Sequence, residues 1–158
     1  MSGETELFLV LAARAAHVRE MIEPNLTAGK VVLCDRYSDA TVAYQGYGRG
    51  LPIAEILAAD RLASGGRRPD WTVLLDLPAE AGLTRVQARN SGSVLHKREG
   101  RIDDESIAFH ERVRSGYLEL ARAEPERFTR VDAVQNAEVI AAQIEREAIE
   151  RGLIEAIK

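Results

Sequence analysis

Three short apolar runs, each closed by an aspartate, set the tightest limit on what this chain can fold into. They are residues 31–34 (Val-Val-Leu-Cys) before Asp35, 71–75 (Trp-Thr-Val-Leu-Leu) before Asp76, and 128–131 (Phe-Thr-Arg-Val) before Asp132. The first two are continuous enough to suit strands buried on both faces of a parallel sheet; the third is shorter and more mixed. Helical stretches alternate with them, over residues 4–23, about 52–63, about 79–89, 104 to about 123, and 136 to about 151. This alternation predicts an α/β fold, with a parallel sheet flanked by helices and right-handed crossovers. In the first helix Leu7, Leu11, Val18 and Ile22 fall close to one face. Ser2 is placed to cap it, Glu4 and Glu6 suit its positive end, and Pro24 should end or kink it. Cys34, inside the first run, reads as a small core residue.

Composition removes whole classes of function. With 21 Lys+Arg against 25 Asp+Glu the net charge is −4, which is not the basic balance of a nucleic-acid binder. A single cysteine rules out an intrachain disulfide and a cysteine-built zinc site. No apolar run reaches the ~20 residues of a membrane span. The first residues carry Glu4 and Glu6 where a signal peptide would be basic, so a soluble, cytoplasmic protein is expected. At roughly 100–200 residues per domain, 158 residues predict one domain.

In open α/β sheets, ligands bind beyond the carboxyl ends of the strands, where the three aspartates stand. Capping of the next element is the better reading for Asp76 and an even alternative for Asp132. Asp35 and Arg36 are the sharpest pair. A carboxylate there can hold magnesium through water, and the neighbouring guanidinium can neutralise phosphate oxygens. The plainer alternative is a surface ion pair. The segment Ala43-Tyr44-Gln45-Gly46-Tyr47-Gly48-Arg49-Gly50 combines three glycines, which permit close approach to the backbone, with a ring and an amide that suit a nucleobase. Equally, it reads as a glycine-rich turn with two packing tyrosines. Residues 85–101 hold Arg85, Arg89, Lys97, Arg98 and Arg101 against one acid, Glu99. They make either a lid that closes over transferring phosphates or a solvated charged loop. His17, His96 and His110 lack metal-ligand spacing and read as surface or supporting residues. No Gly-x-Ser-x-Gly element supports a serine hydrolase.

Taken in order, these segments resemble the bacterial thymidylate kinase family. The resemblance runs through Thr5-Glu6-Leu7, Ala12-Ala13-Arg14, Val32-Leu33-Cys34-Asp35-Arg36-Tyr37 and the 43–51 segment. It continues through Pro69-Asp70, Leu74-Leu75-Asp76-Leu77-Pro78, Arg101-Ile102 and Phe109-His110-Glu111-Arg112-Val113-Arg114-Ser115-Gly116-Tyr117-Leu118. It closes with Glu124-Pro125-Glu126-Arg127-Phe128 and Val131-Asp132-Ala133. It implies a P-loop nucleoside-monophosphate-kinase-like fold, with residues 1–158 as a single kinase domain and a lid at about 89–102. The implied reaction is transfer of a phosphate from Mg·ATP to dTMP, giving dTDP. By the same resemblance Arg14 holds the dTMP phosphate, Asp35 supports the magnesium shell, and Arg36 lies against the phosphates. Thr41 and Gln45 contact thymine, and Tyr44 packs by the deoxyribose. Arg101 reaches the transferring phosphate with help from Arg89, and Arg112 and Tyr117 line the nucleotide pocket. Asp132, Ala133 and Val134 form the loop beneath adenine. A homodimer with the first helix near its interface is also implied.

The chain departs from the family pattern in two places. Val10 stands where the family carries an aromatic residue four positions before the arginine matched by Arg14. Phe8, two residues earlier, projects ~200° away around the helix. In addition, residues 1–158 contain no Gly-x-x-x-x-Gly-Lys-Ser/Thr, the loop that cradles ATP phosphates. The family's first strand or strands, which accompany that loop, are therefore expected to be missing from the sheet. The two strands left facing the gap would be unstable, rearranged or joined to another chain. The chain as it stands is expected to be nearly inactive, with weak dTMP binding. The competing readings are a non-catalytic partner module and a kinase for another nucleoside monophosphate.

Overall fold

A computed structural model of the chain describes residues 1–91, 102 and 105–155. Helix α1 (Gly3–His17) starts where Ser2 accepts a hydrogen bond from the Thr5 amide. It passes through a π-helical turn, Val18–Ile22, into α2 (Glu23–Thr27). Of the two expectations at Pro24, an end or a kink, the end is not found: the helix continues to Thr27, with the irregular turn just before the proline. A proline ring clashes with the carbonyl four residues back, and the π turn changes the hydrogen-bond register at that position. The four residues expected on one face, Leu7, Leu11, Val18 and Ile22, are all buried.

Helix α3 (Ser38–Thr41) continues into a second π-helical stretch, Val42–Gly48, so the glycine-rich segment is helix and not turn. Helix α4 (Ile53–Ser64) ends on Gly65, whose φ of 62° supplies the left-handed cap a side chain would resist. Strand β1 (Thr72–Asp76) precedes α5 (Ala79–Ser91). Ser106 and Asn136 then cap α6 (Ile107–Ala123) and α7 (Ala137–Glu150), which flank β2 (Phe128–Asp132). The two strands pair in parallel from Thr72↔Phe128 to Asp76↔Asp132. Among the described residues this α/β fold has a two-stranded sheet.

The first apolar run forms no strand. Residues 30–34 carry no regular structure, Leu33 is 92% exposed and Val31 54%. Cys34 is half-buried, not a core residue, and that burial raises its thiol pKa. A strand exists only through its ladder, and no described strand lies beside this run to supply one.

Leu74, Phe128 and Val131 of the strands are buried, and two core clusters lie among the helices. Leu7 and Leu11 of α1 cluster with Val42 and Ile56, and Ala43 packs with Phe109 and Val113 of α6. The contact between the 38–48 helix and α6 has no spare room. A Cβ on Gly48 would sit 2.7 Å from the Phe109 ring, and one on Gly116 would sit 2.6 Å from the Tyr47 ring. The close approach that the glycines permit is, at Gly48, the approach of another helix.

Candidate functional site

Between residues 31–37 and β1 lies a cavity of about 1270 Å³. Its walls bring Asp35, Arg36, Tyr44 and Tyr117 together, with Tyr37 and Asp39. Asp35 and Arg36 are both exposed, and neither forms an ion pair among the described residues. The surface ion pair that was the alternative for them is thus not formed. Arg36 takes φ 56°, the one positive φ among the described residues other than glycine. That conformation costs a residue with a Cβ roughly 1–2 kcal/mol, and such strain gathers at functional sites. Its guanidinium lies 5.2 Å over the Tyr44 ring, and Tyr44 meets Tyr117 edge-on at 6.3 Å. Burial pushes the Tyr117 phenol far above its usual range, so it stays protonated and can donate a hydrogen bond.

The other expected site residues lie elsewhere. Arg14 is buried in α1, where its Nη1 donates to Thr41 Oγ1 (2.8 Å) and to Asp60 Oδ1 (2.5 Å), and its guanidinium lies 4.9 Å over Tyr37. Gln45 is also buried and donates to Glu6 Oε1 (2.7 Å). Arg49 binds the same Glu6 and reaches Glu105. Arg112 spends its fork on the Gly48 carbonyl, closing the end of the π-helical stretch. Arg14, Thr41, Gln45 and Arg112 are absent from the cavity wall. Asp132 accepts from the Val134 amide. Ala133, between them, is fixed by its amide to Asp76 O and by its carbonyl to Arg85 Nη1. This turn also lies off the cavity wall. The Arg89 side chain and Arg101, with most of the expected lid at 89–102, lie outside the described residues.

Sequence reasoning missed three groups. Asp60 was not singled out, yet it is the buried counter-ion of Arg14; its place on α4, one turn after buried Ile56, was the available signal. Asp76 does not cap the next helix. It is buried at the carboxyl end of β1 and held by Arg114 and Arg130, which keep its carboxyl below the usual range, Arg114 contributing most. His110 lines the cavity with its Nε2 buried and without a hydrogen-bond partner among the described residues. A polar atom of that kind suits a ligand or water in the cavity.

Magnesium fits this site in a limited sense. Among the described residues no group of three or more His, Cys, Asp or Glu could cage a metal. Magnesium, however, keeps most of its waters and needs only one or two carboxylates beside substrate phosphates. The unpaired Asp35 can supply one. No helix among the described residues is long and apolar enough to cross a membrane.

Comparison with known proteins agrees with the segment order. The family model described as thymidylate kinase matches residues 1–144. A protein named thymidylate kinase from Desulfosudis oleivorans is 52% identical over 144 residues, covering 91% of this chain and 67% of its own. One from Desulfovibrio desulfuricans is 53% identical over 150 residues, covering 95% and 69%. A third, from Solidesulfovibrio magneticus, is 49% identical over 144 residues, covering 91% and 69%. The chain therefore spans about two thirds of the length of these relatives.

Proposed function

Because the chain belongs to the thymidylate kinase family, a family of phosphotransferases acting on nucleoside monophosphates, we propose that it carries the acceptor side of a dTMP kinase. The observation that carries this is Arg36: a strained cation in the cavity wall with no ion pair among the described residues, beside a carboxylate likewise without one, and over a tyrosine ring.

The reaction is in-line transfer of the ATP γ-phosphoryl to the 5′-phosphate of dTMP, in which positioning and charge stabilisation do most of the catalysis. Arg36 presents a planar fork of donors to phosphate oxygens and offsets the negative charge brought together there. Asp35 would hold a magnesium ion through its waters, which would supply charge screening of the phosphates. Tyr44 and Tyr117 form an aromatic wall against the sugar, with the protonated Tyr117 hydroxyl as donor. Thr41 and Gln45 act on the base from behind this wall only if ligand binding releases them from Arg14 and Glu6. Arg14 itself is engaged by Asp60, so it serves the phosphate only after that pair opens. Arg112 lines the nucleotide pocket beside Tyr117 once it leaves the Gly48 carbonyl, and Arg89, Arg101 and the 132–134 turn complete the reading on the side of ATP and the lid. The exposed α1 face of Phe8, Leu9, Ala12, Ala13 and Ala16 supports a homodimer through this helix, and we place the enzyme in the cytoplasm.

Calorimetric titration of the chain with dTMP tests the reading, with dCMP and dAMP as controls. We expect dTMP to bind more tightly than either control, and Arg36→Gly to lose about tenfold or more in affinity, a loss of ~1.4 kcal/mol or more typical of a charged hydrogen-bond partner. The same variant should leave the fold intact, since glycine relieves the left-handed strain. Equal binding of all three nucleotides, or full dTMP affinity in Arg36→Gly, would remove the proposal.

A further inference from the structure

Arg36 keeps a left-handed conformation that a residue with a Cβ resists. Strain of that kind persists only where the surroundings over-determine it. The residues just before it do not supply that constraint, because 31–36 make no backbone–backbone hydrogen bond among the described residues. It has to come from the point where the chain is next anchored. Tyr37 offers one polar anchor, a long bond of 3.3 Å from its hydroxyl to Arg67 O. Asp39, three residues after Arg36, offers a far firmer one.

The Asp39 carboxylate is buried against the Arg127 guanidinium, each side chain 12% exposed. Arg127 Nη1 donates to Asp39 Oδ2 (2.7 Å) and Nη2 to Oδ1 (2.8 Å), a two-pronged pair. Thr72 Oγ1 donates to Asp39 Oδ2 (3.0 Å) and accepts from Arg127 Nη1 (2.7 Å), which closes a ring of three side chains. Arg127 Nε and Nη2 also donate to the Glu124 carboxylate, at 3.0 and 3.2 Å. The five N–H donors of the guanidinium are thereby all engaged. The Thr72 amide donates in turn to Arg127 O (2.8 Å), next to the first rung of the ladder, Thr72↔Phe128. The first turn of the 38–48 helix is thus bolted to the start of both strands.

A buried ion pair adds little stability over an apolar pair of the same volume; its directional bonds can instead fix a geometry. Here Arg36 lies three residues before Asp39 and Tyr44 five residues after it, and the Arg36 guanidinium stands 5.2 Å over the Tyr44 ring. Asp39 is the fixed point between the two. We propose that Asp39 is a positioning residue for Arg36: locked to β1 and to the approach to β2 by Thr72 and Arg127, it sets the start of the 38–48 helix and so holds Arg36 in its left-handed conformation over Tyr44. The inference rests on the reading of Arg36 as the group that meets the dTMP phosphate.

The test is a double-mutant cycle with Arg36→Gly, read by calorimetric titration with dTMP. Asp39→Asn keeps the side-chain volume, and Arg127 retains Glu124 as a counter-ion. We expect Asp39→Asn to weaken dTMP binding threefold or more in the parent chain, but by no more than Arg36→Gly does. In the Arg36→Gly background the same substitution should cost less than twofold. A purely structural role would give the same factor in both backgrounds, and that result overturns the proposal. A second readout needs no ligand: the three-bond coupling between the amide and α protons of Arg36, which reports its φ. We expect it to leave its left-handed value in Asp39→Asn and move toward that of an unconstrained residue. An unmoved coupling overturns the proposal. Arg127→Lys, which keeps the charge but loses the fork, supplies a second variant for both readouts, with losses in the same direction. Full dTMP affinity in Arg36→Gly would instead fail the acceptor-site reading, leaving the coupling to decide the role of Asp39.

Discussion

The helical side and the sheet side of this molecule differ in how completely their polar groups and surfaces are matched. On the helical side, Arg14 is buried but satisfied by Asp60 and Thr41, and Gln45 is buried but satisfied by Glu6. The 38–48 helix and α6 meet with no room for a single added carbon. On the sheet side, among the described residues, a two-stranded parallel ladder borders a large cavity, and the main chain of residues 31–36 has no backbone partner. Helices close their own hydrogen bonds, so helix-on-helix packing can be completed within one segment of chain. A strand closes its hydrogen bonds only through neighbouring strands, so a parallel sheet is built from segments distant in the chain.

The largest expected effect lies on the complete side. Asp60→Ala would leave the Arg14 guanidinium, 5% exposed, without its counter-ion. Removing one partner of a buried pair costs roughly 3–5 kcal/mol, to be read from urea unfolding. The double variant Arg14→Met with Asp60→Leu should recover most of that loss, because no stranded charge remains.

Next come the glycines, where two helical positions should change stability in opposite directions. Alanine is favoured over glycine in a helix by ~1 kcal/mol. At Gly116 that gain meets Tyr47 ring atoms at 2.6 Å and its Cβ at 2.8 Å, and overpacking of this kind costs roughly 1–3 kcal/mol. Gly116→Ala should therefore lower the thermal midpoint. At Gly82 the nearest atom is the end of Leu77 at 3.7 Å, so Gly82→Ala should raise it. Equal effects at the two positions would contradict the tight contact.

At the boundary between the two sides stands Asp76. Its folded pKa is depressed, so its contribution is fully present above the unfolded value of ~3.9 and is lost as pH falls through the lower folded value. Asp76→Asn should cost roughly 1.5–3 kcal/mol at neutral pH, the range for hydrogen bonds to charged groups. The difference from the parent chain should shrink below about pH 4. Glu124, held down to about 2 chiefly by Arg127, titrates in the same acid window and should be kept constant in the comparison. The smallest effect belongs to the incomplete side: Leu33→Ser should change stability of the isolated chain by less than ~0.5 kcal/mol, since the side chain touches little.

Most of the fold was legible because helices advertise themselves locally. Ser2, Ser106 and Asn136 cap the helices they precede, and the Leu7–Leu11–Val18–Ile22 face is buried as its spacing requires. Residues 31–34 misled for the opposite reason. Their apolar character states a readiness to pair, but a strand also needs a neighbour, and that information is not in the run itself. The site divides in the same way. Asp35 and Arg36 could be singled out as adjacent residues of complementary chemistry, and Tyr44 and Tyr117 through the family resemblance. The pairing of Arg14 with Asp60, 46 positions apart, depends on how α1 crosses α4 and leaves no local mark. The helix over 38–48 was hidden by its glycines, which serve inter-helix packing at Gly48 and so imitate the composition of a turn.

The facing glycines at 48 and 116 also act as an alignment pin. With the Phe109 and Val113 side chains against one and the Tyr47 ring against the other, α6 can seat on the 38–48 helix at one axial position only. Tyr44 lies one turn before Gly48, and Tyr117 lies one residue after Gly116. The pin therefore sets the gauge between these two rings, and with it the width available to whatever lies against them. A chain that drifted by one methyl group at either glycine would change that gauge before it altered any residue that touches a ligand.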